Sequence, residues 1–380
     1  MFEESPRFAC DGRFPAQRVL RLIRERIASY DLDLAGLTVL TEAATGYYRV
    51  TPVIAALAGA ERVLALARDT RFGTVDQVRE QTAYLTDQAG LHKQIELVAS
   101  RAGAVFGAAD LITNLGGVRP IDRWAVAHCK PAAVVSLMFG GNDWRPHEVD
   151  LAACWERGIA VAGVDEAAID LFRFTSQRLA WFLLELGLET VGCRYLFVGD
   201  GSVFAKVMAF LSRAGAEVLA VTGEADDSIR ASGGQKVARN LREAPAWEAL
   251  QTADALFTFD PLRERDFISS TGELTPEELA QLAPAISVVN YSGNVDRAGL
   301  QAVGINCFPR HDPGGGHSAN TIGEILPAPV VELHTAGLKV GQIMARARSE
   351  GRSYLEAEQA AVGSGLGEDL HAWWARRVSS

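Results

Sequence analysis

Short apolar runs alternate with helical stripes along most of the chain. "LTVLTEA", "RVLALARD", "IELVAS", "DLITNL", "AAVVSLMF" and "IAVAGV" lack the polar–apolar alternation of a half-exposed strand. They read as strands covered on both faces. Helical patterns lie between them. "PAQRVLRLIRERIASY" puts Val19, Leu20, Leu22, Ile23 and Ile27 on one stripe. "TPVIAALAGA" predicts a helix with Thr51 as N-cap and Pro52 in its first position. "TVDQVREQTAYLTDQAG" predicts a helix closed by Gly90. Helices are also expected over "AGAVFGA", "PIDRWAVAHC" and "EVDLAACWERG". Strands alternating with helices predict a parallel doubly wound sheet, so roughly the first 165 residues form one α/β domain.

A long helix, about Leu171 to Leu188, is apolar on almost every side and is expected to bridge to a second half. There the pattern restarts. "YLFVGDGSVFAKVMAFLSRAGAEVLAV", Tyr195 to Val221, reads as strand, glycine turn, helix and strand. "ADALFTF", the helix "TPEELAQLA", the strand "AISVVNYSG" and "AGLQAVGINCF" follow. "PVVELHTAG" reads as a further strand-like run, and the tail segments "LKVGQIMARARSEG" and "GLGEDLHAWWARR" as helical. The fold class expected is α/β: two Rossmann-like or flavodoxin-like doubly wound parallel-sheet domains with an interdomain cleft. A substrate domain would take residues 1–168 plus returning helices in 335–380, and a dinucleotide-binding domain residues 169–334.

Composition narrows the classes of function. A chain of 380 residues with 48% hydrophobic and 22% charged residues has the make-up and length of a globular protein with sizeable cores. The net charge is −10 and no basic block occurs, which argues against nucleic acid or an anionic membrane surface as a partner. No apolar run approaches the ~20 residues that span a bilayer, and the polar, acidic start "MFEESPRFACDGRF" does not read as a signal peptide. The five cysteines, Cys10, Cys129, Cys154, Cys193 and Cys307, are scattered and form no CxxC pair. Reduced thiols and a cytoplasmic location are expected.

The glycine turn carries the main candidate chemistry. In a dinucleotide site the first glycine makes the turn, the second lets backbone approach the pyrophosphate, and the third lets helix pack on strand. Gly199 and Gly201 fill the first two roles, and Asp200, Ser202 and Val203 complete the turn. Phe204 stands where the third glycine belongs, with the small residue displaced to Ala205. The ribose-holding position falls near Thr222, with Glu224 two residues on. Glu224, Asp226 and Asp227 would repel a 2′-phosphate, so NAD is favoured over NADP.

Loops at strand ends supply the other candidates. "FGGNDW" offers backbone N–H groups at Gly140 and Gly141 and a polar side chain at Asn142. "NLGGVRP" offers Asn114, Gly116 and Arg119, and "GYYRVTP" offers Tyr48 and Arg49 as substrate contacts. A rival reading of the same region has Glu42, Gly46 and Asp69 cradling S-adenosylmethionine, although Tyr47 and Tyr48 stand where further glycines are usual. "HDPGGGHSAN" mixes His311, Asp312 and His317 at a spacing that fits no standard zinc site, so no metal is expected and the segment reads as a loop able to close over a substrate. No GxSxG, Walker loop or HExxH occurs.

Several pieces in order, "EVDLAACWERGIAVAG", "VGDGS…GAEVLAV", "ADALFTFDPL", "ISVVNYSGNVDRAGL" and "ELHTAG", resemble the D-isomer-specific 2-hydroxyacid dehydrogenase superfamily and its formate and glycerate dehydrogenase relatives. The resemblance spans roughly Ala109 to Gly337 and is best at Asp150–Gly163 and Ala253–Leu262. It implies a first sheet that binds substrate, a second that binds the nicotinamide cofactor, and substrate in the cleft. It implies His334, in "LHTAG", as the acid/base. It implies cofactor contacts at Phe259, Asp260, Pro261 and Asn290. Where the family has its carboxylate-binding arginine this chain has Ser292, Gly293 or Asn294, and Pro309 lies near the position of the family glutamate. Ser292 and Asn294 are therefore expected to assist His334. Arg310, Arg145 or the "FGGNDW" backbone would hold a substrate carboxylate in place of the missing arginine.

The function expected is that of an NAD(P)-dependent oxidoreductase acting on a small polar substrate. The alternatives are a non-redox enzyme on the same scaffold (hydrolase, lyase or S-adenosylmethionine-dependent methyltransferase) and a nucleotide sensor. A homodimer is expected, with Trp373 and Trp374 of the tail as candidate contacts.

Overall fold

The computed structural model describes residues 14–70, 72–91, 94–260, 265–310 and 326–378. Cys10, Pro261 and the loop from His311 to Asn320 lie outside the described residues. The chain divides into two compact units, Met1–Leu171 with Leu326–Ser380, and Phe172–Ile325.

The first unit is built on β1 (Thr38–Glu42), β2 (Arg62–Leu66), β3 (Ile95–Val98), β4 (Leu111–Thr113), β5 (Val134–Ser136) and β6 (Ala160–Val164). Their spatial order is β6-β5-β4-β1-β2-β3, all parallel, with the short Gly367–Glu368 strand antiparallel on the outer edge of β6. The second unit has β7 (Arg194–Gly199), β8 (Glu217–Val221), β9 (Gln235–Ala238), β10 (Ala255–Phe259), β11 (Asp266–Ile268), β12 (Ser287–Asn290), β13 (Asn294–Val295) and β14 (Cys307–Phe308). Its main sheet runs β14-β12-β10-β7-β8-β9, and β11 pairs with β13 in a small separate ladder. Counted within its own unit, each main sheet has the order 3-2-1-4-5-6 that places a crevice between first and fourth strands. The first unit is thus of dinucleotide-fold order and not of the flavodoxin order 2-1-3-4-5.

Local signals decide many boundaries. Helix Val75–Ala89 opens with a capping box between Thr74 and Gln77 and closes at Gly90 with φ +73°. Helix Ala16–Ser29 buries Val19, Leu20 and Ile23, while Leu22 and Ile27 stay half-buried. Helix Val50–Leu57 starts earlier than expected, directly out of the 3-10 turn Gly46–Arg49, so Thr51 is inside the helix and is not its cap. The expected long helix is a 3-10 turn, Leu171–Phe174, and a shorter helix, Thr175–Glu185. It is not apolar all round in the buried sense, since Trp181 and Leu184 are 55% and 68% exposed.

"PVVELHTAG" is not a strand. It opens a 23-residue helix, Pro327–Ser349, that continues through "LKVGQIMARARS". A run of apolar residues is compatible with a covered strand or a buried helix, and length arbitrates only once the continuation is known. This helix lies close on the first sheet because it carries glycines. A Cβ at Gly337 would come within 2.5 Å of Met138 Sδ, and one at Gly341 within 2.5 Å of Leu111 Cδ1. Ser136 Oγ donates to Gly337 O at 2.6 Å across the same seam.

Trp373 and Trp374 pack within the first unit. Trp373 Nε1 donates to Glu368 Oε1 at 2.7 Å, and the Trp374 ring stands edge-on to Trp155 at 5.7 Å. No helix among the described residues is long and apolar enough to cross a membrane.

Candidate functional site

The turn after β7 requires its first glycine. Gly199 has φ +121°, and a Cβ there would lie 1.6 Å from Phe259 O on the neighbouring strand β10. Gly201, with φ +104°, precedes helix Ser202–Arg213, which Ser202 and Val203 open. The Gly201 N–H donates to Glu224 Oε1 at 3.0 Å. Asp200 Oδ1 accepts from Thr222 Oγ1 at 2.5 Å and from Gly223 N at 3.2 Å. Thr222 directly follows β8, with its hydroxyl held by Asp200. Phe204 is fully buried and meets Phe197 and Phe259 edge-on, with centroids 5.8 and 5.7 Å away. The missing third glycine is absorbed by an aromatic layer between helix and sheet.

The ends of β10 and β12 are stitched together. The Asp260 N–H donates to Ser292 Oγ at 2.9 Å, and Asp260 Oδ2 accepts from Arg265 N at 2.5 Å. Asn290 Nδ2 donates to Thr258 Oγ1 at 2.8 Å and Gly293 O at 3.1 Å, while its Oδ1 accepts from Arg297 Nη2 at 2.8 Å. Phe259 is buried against the Phe197 ring at 5.4 Å. Asn294 is exposed on β13. Ser292 and Asn290 therefore hold the loops at this edge in place. Arg265, which sequence reasoning passed over, reaches Glu273 with Nε at 2.7 Å and Asp200 Oδ2 with Nη1 at 3.4 Å. Its link to Asp200, sixty-five residues away, is set by the fold and has no mark in the local sequence.

In the first unit, β1 and β4 meet at the point where the strand order reverses. Val39 pairs with Leu111 and Leu40 with Ile112, and Thr113 Oγ1 donates to Thr41 Oγ1 at 2.9 Å. Glu42 is the last residue of β1, and Asn114 directly follows β4. Glu42 is 8% exposed, and its Oε2 accepts from Gly117 N at 2.7 Å. Burial raises its pKa, against the lowering effect of the Gly117 N–H and of the Arg119 and Arg68 charges. The glycines of the loop above it are needed: a Cβ at Gly117 would come within 2.6 Å of Leu66 O and 2.9 Å of Glu42 Cβ, and one at Gly116 within 3.3 Å of Glu42 Oε2. Asn114 is wholly buried; its Oδ1 accepts from Met138 N at 2.8 Å, and its Nδ2 has no hydrogen-bond partner among the described residues. An unmet buried donor costs about 1–3 kcal/mol and calls for a reason.

Other sequence candidates are placed elsewhere. Arg49 is completely buried under the Phe14 ring at 4.2 Å; it donates through Nε to Gly46 O at 2.7 Å and through Nη2 to Gln81. It secures the turn into its helix and offers a substrate no open face. The Tyr48 ring is 5.7 Å from the His334 ring. The Gly140 and Gly141 N–H groups, expected to meet a substrate carboxylate, donate to carboxylates of the chain itself: Glu166 Oε1 at 3.1 Å and Glu368 Oε2 at 2.5 Å. Asn142 sits in the 3-10 turn Gly141–Asp143 beside them. Asp69 accepts from Val75 N at 2.7 Å, a local bond at the start of the next helix. His334 is 1% exposed inside helix Pro327–Ser349, and its Nδ1 lies 2.6 Å from Thr51 Oγ1. Burial pushes its pKa down to about 3, which favours the neutral ring. Burial likewise pushes the Cys129 thiol up to about 11 and raises that of Cys154, which makes both inert. Among the described residues no cluster of three or more His, Cys, Asp or Glu could hold a metal.

No family model and no curated protein matches the sequence. Solved structures do. One chain of the dipicolinate synthase from Bacillus halodurans aligns at a TM-score of 0.55 and 11% identity, over 83% of this chain and 99% of its own. Its counterpart from Bacillus subtilis, also a dipicolinate synthase chain, aligns at 0.55 and 9%, over 84% and 98%. The likeness is one of fold. D-lactate dehydrogenase with NAD+ from Lactobacillus jensenii aligns more loosely, at a TM-score of 0.45 and 11% identity over 82% of this chain and 97% of its own.

Proposed function

We propose that the protein is an NAD-dependent oxidoreductase acting on a small polar substrate, with the nucleotide seated on the turn after β7. The observation that carries this reading is Gly199. It is the last residue of β7, the first strand of the sheet, paired with Phe259 of the fourth, where a side chain would strike the backbone of β10. Gly201 then leads into the start of a 12-residue helix, the place where a pyrophosphate finds donors and a favourable dipole. What fits the group is the positive-φ turn at Gly199 and Gly201 running into a helix start; the Gly199 contact with Phe259 O is one the fold itself requires. A bound nicotinamide would supply the hydride, and the chain's own residues would bind and orient its ends.

Glu224 refines the choice of nucleotide. Its carboxylate already accepts the Gly201 N–H, and it lies just past the end of β8, where a ribose diol can donate to it. A 2′-phosphate placed there would meet a like charge, which costs several kcal/mol. Titration of the full chain by quenching of tryptophan fluorescence is expected to show NADH binding at least tenfold tighter than NADPH. In Glu224→Ala that ratio should fall at least tenfold, because the acceptor and the repulsion go together. If neither nucleotide binds the wild-type chain, the reading fails. If both bind equally well, only the role of Glu224 fails.

His334 is not part of this reading. The acid/base role that the family resemblance implied for it belongs on an accessible group at a strand end.

A further inference from the structure

We infer that Arg265 is a positioning residue for the nucleotide. It holds the Asp200 carboxylate and cancels its charge, so that the turn after β7 can receive a dianionic pyrophosphate. The inference deepens the function proposed above and rests on that reading for the ligand.

Arg265 is anchored from several sides. Its N–H donates to Asp260 Oδ2 at 2.5 Å and its carbonyl accepts from Asn294 N at 2.8 Å. These bonds tie its backbone to the residue that follows β10 and to the first residue of β13. Its Nε donates to Glu273 Oε1 at 2.7 Å. Glu273 is itself held, because its Oε2 accepts from Leu241 N at 2.8 Å. The guanidinium carbon lies 4.7 Å from the centre of the Phe267 ring, which covers one face of the plane. From this fixed place Nη1 reaches Asp200 Oδ2 at 3.4 Å. Asp200 sits between the two glycines of the turn, and its other oxygen takes the Thr222 hydroxyl and the Gly223 N–H just past β8. Arg265 thus fixes the carboxylate that joins the turn after β7 to the end of β8.

The pair is poorly built for stability. It is long, and the Asp200 side chain is 42% exposed. Exposed ion pairs of this kind add little to folding. Its charge matters more. The turn carries Asp200, Glu224 accepts the Gly201 N–H, and Asp226 and Asp227 open the next helix. A pyrophosphate seated here meets a ring of like charge, which opposes binding. Two cations answer that ring. Lys236 Nζ lies 3.5 Å from Asp226 Oδ1 and donates to Glu224 O at 2.6 Å. Arg265 answers Asp200, the carboxylate inside the turn itself. An arginine suits the task, since it stays charged and its planar fork can stack on Phe267 while bonding two carboxylates.

The test is fluorescence titration of the full chain with NADH at about 20 mM and about 500 mM salt, conditions that leave exposed charges respectively unscreened and screened. Arg265→Gln keeps a donor for Glu273 and removes the charge. At low salt it should weaken NADH binding about tenfold, and at high salt the loss should shrink to about threefold or less, because screening shortens the reach of the uncompensated Asp200. Adding Asp200→Asn to it should return the low-salt affinity to within about threefold of wild type, since the Asn oxygen still accepts from Thr222 and Gly223 and no charge is left to cancel. Asp200→Asn alone should stay within the same factor, which keeps the inference open to test should Arg265→Gln fail to fold. Unchanged affinity in Arg265→Gln, a loss equal at both salt concentrations, a loss that Asp200→Asn does not repair, or a tenfold loss in Asp200→Asn alone would each overturn the inference and leave the nucleotide reading standing. Failure of the wild type to bind NADH would defeat that reading, and the role of Arg265 with it.

Discussion

Gly199→Ala is expected to unfold the second unit or to leave it too unstable to purify. The residue pairs in register with Phe259, and the added methyl would lie 1.6 Å from that residue's carbonyl oxygen. Relief would require β10 to move, yet β10 is hydrogen-bonded to β7 on one side and β12 on the other. The backbone adds a second penalty, because φ +121° is open essentially to glycine alone. Together these place the cost in the exceptional class of about 4 kcal/mol or more. Gly158→Ala is the control. It also has positive φ, +72°, but open space around its Cβ, and should cost only about 1–2 kcal/mol. Urea unfolding followed by circular dichroism separates the two. Wild-type stability in Gly199→Ala would mean that β7 and β10 do not approach as described, and the proposed nucleotide cradle would go with them.

The second large effect is a pH dependence written into the core. His334 has a folded pKa near 3 because burial disfavours the imidazolium, whereas an unfolded histidine titrates near 6.5. Between those values the unfolded chain binds the extra proton. Stability is therefore full above pH 6.5 and is lost as pH falls towards 3, at about 1.4 kcal/mol per pH unit. His334→Gln keeps a polar partner for Thr51 Oγ1 but has no proton to gain. Relative to this variant, wild type should lose about 2 kcal/mol of stability between pH 6.5 and pH 5. Denaturant melts at four pH values, wild type against variant, measure that difference directly, and the shared titration of other groups cancels. Parallel curves for the two proteins would show that His334 is accessible to protons in the folded chain. That result would return it to consideration as an acid/base.

The sequence by itself determined the architecture of alternating strands and helices and most element types. Covered parallel strands are apolar throughout, and capping boxes, closing glycines and a glycine turn are local devices that need only neighbours in the chain. It also marked glycine-containing turns at strand ends: Gly199 closes β7 with Gly201 two residues on, Asn114 and Gly116 follow β4, and Gly140 and Gly141 follow β5. Tertiary structure alone decided what those positions do. "PVVELHTAG" opens a helix that runs on through Ser349, and Gly337 and Gly341 let it lie close on the sheet. Its place inside that helix buries His334 against Thr51, which disfavours the imidazolium. The Gly140 and Gly141 donors went to Glu166 and Glu368, the second of these more than two hundred residues away in the chain. The pairing of β1 with β4 brought Thr41 to Thr113 across seventy-two positions of sequence. Periodicity reports which face of an element is covered. The partner of a polar atom depends on which distant backbone arrives beside it, and only the folded chain settles that.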